Sequence, residues 1–244
     1  MPAEGYAYDG DPTPPAGWRV FCLTERKPMK TNKTAVIFVN GELNNAEKIR
    51  PWVESADLLV AADGGLRHAL ALNILPHLLV GDLDSVSPTE VSRFKEAGRE
   101  IIQFPPEKNE TDLELALFHV IQLGYQKIIL IGALGGRSDQ MLANLLLLSD
   151  PKLAGLDIRL VDDKEEVFII RKKAQVTGKP GDRVSLLPLS ETVQGVTTTA
   201  LQYPLINETL YRHKTRGVSN AMNSEIATIQ IQEGLVLCFH SLNE

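Results

Sequence analysis

The sequence predicts an α/β protein: a doubly wound, mostly parallel sheet domain followed by a C-terminal all-β sandwich. Three observations carry this. From Ala35 onward, short apolar runs rich in β-formers alternate with amphipathic stretches, the pattern of parallel strands joined by crossover helices. After about Arg171 the helical stretches give way to Val-, Thr-, Ile- and Leu-rich segments broken at Gly178, Gly181, Gly195, Gly217 and Gly234. A chain of 244 residues, 43% hydrophobic, can also bury the core that one large domain or two modest ones require.

Taken in order, residues 1–32 carry prolines at 2, 12, 14, 15 and 28 and little apolar periodicity, so a poorly ordered tail is expected. They lack the basic start, apolar core and small-residue cleavage site of a secretory signal. Residues 33–170 form the α/β unit, with parallel strands read at 35–39, 58–62, 78–80, 100–104, 127–131 and 158–161. Ser87-Pro88 opens a helix, with serine as cap and proline in the first turn. Thr111-Asp112-Leu113-Glu114 reads as a capping box leading into Leu115, Leu117, Phe118 and Ile121, with Gly124 as the stop. Residues 171–244 form the sandwich, its clearest strands at 184–189, 193–197, 225–232 and 235–239, with Gln232-Glu233-Gly234 as a hairpin turn.

Composition removes several classes of function. A net charge of −6 and a pI near 5.5 leave no basic footprint for nucleic acid. Only Cys22 and Cys238 are present, which suggests neither a disulfide framework nor a zinc site, and Cys238 reads as a small core residue in a strand. No apolar run approaches the roughly 18 residues of a membrane span. A soluble, cytoplasmic protein without membrane or nucleic-acid partners is expected.

In a doubly wound sheet the ligand crevice lies outside the carboxyl ends of the strands, where the loops beginning at Asp63, Asp82, Pro105 and Gly132 emerge. Asp82 and Asp84 are two apart, so in an extended segment both side chains would leave one face and share a hard divalent cation. Asp63-Gly64-Gly65 would bring backbone close to a ligand, or simply turn the strand into a helix. The run from Gly132 to Asp139 joins a glycine loop to an arginine, so it could cradle phosphate with Arg137 while Asp139 orients Arg137 or binds metal. Helix capping by Ser138 and Asp139 is the alternative. No P-loop motif occurs, so phosphate must be neutralised by metal-bound acids together with Lys108 and Arg137. The histidines show no ligand-like spacing and read as structural or surface groups. The turn-like stretch containing Tyr203 and the later Gly217-Val218-Ser219-Asn220 could stack a flat aromatic ligand.

Taken together, Ala62-Asp63-Gly64-Gly65, Gly81-Asp82-Leu83-Asp84-Ser85, Glu107-Lys108-Asn109-Glu110-Thr111-Asp112, Gly135-Gly136-Arg137-Ser138-Asp139-Gln140 and Gly217-Val218-Ser219-Asn220 resemble, in order and spacing, the thiamine pyrophosphokinases. The likeness spans nearly everything after residue 33. It implies a reaction of ATP with thiamine that yields thiamine diphosphate and AMP, a Mg²⁺ cofactor, and a homodimer with sites where the subunits meet. Carried over position by position, it implies Asp82, Asp84 and Asp112 as catalytic, Mg²⁺-handling acids. Asp63, Ser85, Lys108, Thr111, Arg137 and Asp139 would lie around ATP, and Tyr203, Ser219 and Asn220 against thiamine. The chain departs from the animal pattern at Tyr203, where tryptophan stands in those members.

Two rivals follow from the same residues. Asp82-x-Asp84 suggests an aspartate phosphohydrolase, although Val86 and Ser87 stand where such enzymes usually place threonine. A non-catalytic nucleotide or thiamine sensor is the other, disfavoured because a pure binder gains little from clustered negative charge beside a triphosphate.

Overall fold

The computed structural model describes residues 31–241. The tail read at 1–32 lies outside them except for its last two residues, which begin the first strand. That strand, β1 (Thr31–Phe38), and β2 (Leu58–Ala62), β3 (Leu78–Gly81), β4 (Glu100–Gln103), β5 (Tyr125–Ile131) and β6 (Asp157–Val161) pair in parallel. Five α-helices connect them: α1 (Ala46–Glu54), α2 (Leu66–Ala71), α3 (Pro88–Glu96), α4 (Asp112–Gln122) and α5 (Ser138–Leu147).

The helix starts follow local chemistry. Ser87 and Glu90 form a reciprocal capping box with Pro88 in the first turn of α3. At α4 only the forward half forms: Thr111 Oγ1 accepts from Glu114 N at 3.2 Å, without the return bond that Glu90 makes. Neither Ser138 nor Asp139 caps α5, whose cap position is Arg137 and lacks a side-chain bond.

The central strands are buried on both faces, as their unbroken apolar runs require. Val36, Phe38, Ile129 and Ile131 pack with Ile49 and Val53 of α1 and Ala69 of α2, while Phe94 of α3 meets Ala61 and Leu79. On the opposite face Ile37, Val80, Ile128 and Leu130 meet Leu113, Leu117 and Val120 of α4 and Leu145 of α5.

The second half completes this sheet. After β7 (Glu165–Ile170) and β8 (Lys173–Thr177) come β9 (Arg183–Pro188), β10 (Thr192–Thr199), β11 (Glu208–Tyr211), β12 (Asn220–Ala221), β13 (Ile226–Gln230) and β14 (Val236–Ser241). One ten-stranded sheet runs β12-β9-β14-β7-β6-β5-β1-β2-β3-β4, and a four-stranded sheet, β11-β10-β13-β8, forms the other layer of the sandwich. The boundary drawn at 170/171 therefore falls inside a continuous hydrogen-bonded sheet. Alternation makes this possible: Val167 and Leu237 face the helix-covered core, whereas Phe168, Ile170, Val236 and Cys238 face the second sheet. Cys238 is a buried core residue, as expected, and burial pushes its thiol up to about 12.

The hairpin expected at Gln232-Glu233-Gly234 is not one. β13 and β14 belong to different sheets, and the turn carries the chain between the layers, with Glu233 bridged to Gln194 instead.

A charged group lies at the end of the sandwich interior. His240 of β14 is buried with Nδ1 3.1 Å from Glu166 Oε1 and Nε2 3.3 Å from Asp182 Oδ2. Arg159 donates to the other Glu166 oxygen at 2.7 Å and stacks 4.6 Å over the Phe168 ring. Burial disfavours the imidazolium, but Glu166 and Asp182 outweigh it and raise the pKa of His240. Burial likewise disfavours the Glu166 carboxylate, yet His240 and Arg159 hold its pKa down. Among the described residues, no helix is long and apolar enough to cross a membrane.

Candidate active site

The carboxyl ends of β2 and β3 and the first turn of α4 bring three acids together. Asp63 follows β2 in a tight turn at φ 42°, Asp82 follows β3, and Asp112 is the first residue of α4, where the helix N-terminus favours negative charge. Each offers a carboxylate oxygen within 4.8 Å of the others. Gly81 makes the convergence possible. Its φ is 152°, and a Cβ there would lie 2.9 Å from Asp63 Cβ and 3.3 Å from Asp112 Oδ1.

Lys108, on the loop before α4, bridges the group, with Nζ 3.0 Å from Asp82 Oδ2 and 3.1 Å from Asp112 Oδ1. The Asp112 contact brings the charges together without hydrogen-bond alignment, so Asp112 Oδ1, like Asp63 Oδ1, is buried with no hydrogen-bond partner. Burial works against the Asp82 carboxylate, yet Lys108 and the Asp84 N–H hold its pKa below the ordinary value. At Asp112 burial wins, reinforced by the charges of Asp82 and Asp63, and its pKa rises. Like charges about 4 Å apart cost roughly 4 kcal/mol per pair at an effective dielectric near 20. An unpartnered Asp63 Oδ1, an Asp112 Oδ1 met only by the Lys108 charge, and an all-oxygen donor set therefore fit a hard divalent cation.

Asp84 is not part of this group. Leu83 adopts φ 68°, so the segment turns instead of running extended and Asp84 does not share the face of Asp82. Asp84 N donates to Asp82 Oδ1 at 3.2 Å, and Asp84 Oδ1 accepts from Ser85 Oγ at 2.9 Å. Asp63, expected beside ATP, is the acid found in its place.

Beside the acids lies a cavity of about 210 Å³ whose lining includes Asn40, Gly64, Arg67, Ser85 and Glu90. Gly41 N donates to Gly132 O at 2.7 Å, tying the loops after β1 and β5 together where the strand order reverses. Arg67 Nη2 donates to Asn40 O (3.0 Å) and Gly41 O (2.8 Å), and buried His68 places Nε2 2.8 Å from Gly41 O. Burial lowers the pKa of His68, and a carbonyl only accepts, so a neutral imidazole donates here. The sequence reading passed over Asn40, Gly41 and Arg67. Asn40-Gly41 directly follows the first strand, so the strand-end rule applied to the other loops would have found it.

The remaining expected residues are dispersed. Thr111 is occupied as the α4 cap. Arg137 forks onto Asp139 at 3.2 and 2.6 Å, both side chains well exposed, so Asp139 orients Arg137 and stands outside the acidic group. Ser219 helps line a cleft of about 330 Å³ with Glu165, Arg183, Ser185, Leu187 and Phe239. Asn220 is turned inward: its Oδ1 accepts from Tyr203 N (2.9 Å) and its Nδ2 donates to Tyr203 O (2.6 Å), fixing the backbone beneath the exposed Tyr203 ring.

Clustered carboxylates in the crevice at the strand ends of a doubly wound sheet place the chain among α/β proteins with an acidic, cation-suited site at the ligand-binding edge. Residues 49–160 match the profile described as thiamin pyrophosphokinase, catalytic domain, and residues 168–236 match thiamin pyrophosphokinase, vitamin B1 binding domain. The chain belongs to the thiamin pyrophosphokinase family. Thiamine pyrophosphokinase of Bacillus subtilis is 27% identical over 211 residues, covering 86% of this chain and 99% of that protein. Thiamine pyrophosphokinase 1 of Oryza sativa subsp. japonica is 24% identical over 228 residues, covering 83% and 85%. The crystal structure of the B. subtilis enzyme matches with a TM-score of 0.78 at 26% identity, over 87% of this chain and 100% of that one. The family protein from Enterococcus faecalis gives 0.74 at 28% identity, over 87% and 100%. Neither the phosphohydrolase nor the sensor reading is supported by these matches.

Proposed function

We propose that the protein transfers the pyrophosphoryl group of ATP to the hydroxyl of thiamine, giving thiamine diphosphate and AMP. The observation that carries this is the convergence of Asp63, Asp82 and Asp112, with Asp63 Oδ1 buried and unpartnered, in a chain whose two halves both match the family. These acids would hold Mg²⁺, which supplies charge neutralisation across the phosphate oxygens when bound. Arg137, oriented by Asp139 through Nε and Nη2, keeps its Nη1 donors for phosphate. Ser85 and Arg67 border the cavity proposed for the nucleotide. Asp84, outside the acidic group, is left to accept the hydroxyl proton, because an acid committed to a cation is a poor base. For thiamine, the reading places the Tyr203 ring and Ser219 against the ligand, with Asn220 supporting Tyr203.

We further propose a homodimer with composite sites. Along the large sheet β14, β7, β6, β5 and β1 lie between β9, where Ser219 is anchored through Ser185, and β2, which ends at Asp63. At about 4.8 Å per strand the two places are roughly 30 Å apart. Transfer needs reacting atoms about 3 Å apart, so thiamine held by one subunit must meet the acids of another. Leu142 and Leu146, 55% and 49% exposed on α5, offer an apolar face for such a contact. The cytoplasmic assignment rests on composition, with two cysteines and no disulfide framework.

Incubation of the pure protein with thiamine, ATP and Mg²⁺, followed by nucleotide separation, tests the reading. AMP with thiamine diphosphate is expected. Release of ADP, or no turnover, overturns it.

A further inference from the structure

The side chain of Lys108 is 9% exposed, and its ammonium lies against oxygens of two of the three acids that the proposed function assigns to a divalent cation. An ammonium 3.0–3.1 Å from Asp82 Oδ2 and Asp112 Oδ1 supplies positive charge to the same carboxylates a metal would need. A cation coordinated at about 2.1 Å to those oxygens would face that ammonium at close range, and the two positive charges would repel. Asp63 Oδ1, which the lysine does not reach with a hydrogen bond, stays unpartnered, so one ammonium leaves the group partly compensated. Lysine suits such an exchange: its charge is compact and sits on a flexible four-carbon stem, so it can leave two carboxylates for a phosphate oxygen without rearranging backbone.

We propose that Lys108 is an internal counter-cation that competes with the divalent metal for Asp82 and Asp112. It weakens metal binding to the free protein and transfers to the phosphates when a metal–triphosphate complex enters. Lys108 then couples two events: metal occupies the acids fully only where an anion is present to receive the displaced ammonium. The inference rests on the proposed function and adds a role for Lys108 beyond contact with ATP.

The test uses the full chain and Mn²⁺, followed by electron paramagnetic resonance of the free ion, in wild type, Lys108→Met and Lys108→Arg. Lys108→Met should bind Mn²⁺ about tenfold more tightly than wild type, while Lys108→Arg, which keeps the charge, should stay near wild type. With saturating Mg²⁺, binding of a non-hydrolysable ATP analogue should move the opposite way, weakening at least tenfold in Lys108→Met. A structural role would not move metal and nucleotide affinity in opposite directions. Thermal melting with and without Mn²⁺ identifies any unfolded variant, and in that event Lys108→Gln is measured in place of Lys108→Met. Equal or weaker Mn²⁺ binding by the charge-removing variant overturns the proposal while leaving the metal site intact. Absence of Mn²⁺ binding in every form, with or without the analogue, overturns both this inference and the metal-dependent function.

Discussion

Asp82 is the residue whose loss tests the site most directly. It accepts from Lys108 and from Asp84 N, and shares the pocket with Asp63 and Asp112. Asp82→Ala should lower turnover at least about 100-fold, the scale on which one transition-state charge contact counts. The circular-dichroism spectrum and melting temperature should stay close to wild type, because Asp82 lies on a loop outside the cores; near-normal turnover would remove it from the chemistry. Residue types at this scale were readable from sequence, since aspartates after apolar runs announce themselves. Their partnership was read only in part: the resemblance put Asp82 with Asp112, which do meet, but named the wrong third acid for the group. Asp84 was grouped with Asp82 on the assumption of an extended backbone, and the left-handed Leu83 breaks that assumption. The turn gives Asp63 a place that no spacing rule could assign, because residues 63, 82 and 112 meet only through strand order.

The elements themselves were largely legible. Strand positions in the first half and the start of α3 follow from apolar runs and capping chemistry, and the structure differs mainly at the ends. The second half was harder: β7, β8, β11 and β12 are short or charged at one end, and the turn at Gln232-Glu233-Gly234 looks the same whether it closes a hairpin or changes sheets. At this scale the buried contact between β7 and β14 yields a pH prediction. The pKa of His240 is raised from the ordinary 6.5, so its contribution is fully present below that value and lost as pH rises through the higher folded value. Glu166 is depressed from 4.5, so its contribution is present above that value and lost as pH falls through the lower one. Urea-unfolding stability should therefore hold between about 4.5 and 6.5 and decline above, insofar as this pair controls it. In His240→Asn the decline on the alkaline side should flatten; an unchanged slope would assign it to other groups.

For the whole molecule, α/β followed by β was readable from texture, but the hydrogen-bonded continuity of the sheet was not. Composition records a change of style near residue 171, whereas pairing of β7 with β6 and β14 joins the two styles edge to edge. The separation of the two ligand regions by five intervening strands makes assembly a condition of activity in the proposed dimer. Leu142→Glu combined with Leu146→Glu should leave the monomer folded, since both side chains are about half exposed. Sedimentation should then report a monomer, with turnover lost together with association. A dimer of full activity would move the interface elsewhere.

Because backbone bonding passes without interruption from β4 to β12, both halves of the described residues share one sheet, and unfolding of either half would strip hydrogen bonds from the other. Differential scanning calorimetry should accordingly record a single heat-absorption peak with matching calorimetric and van't Hoff enthalpies. A gene cut at residue 170 should give two fragments that precipitate, each left with a raw strand margin where its neighbour had been.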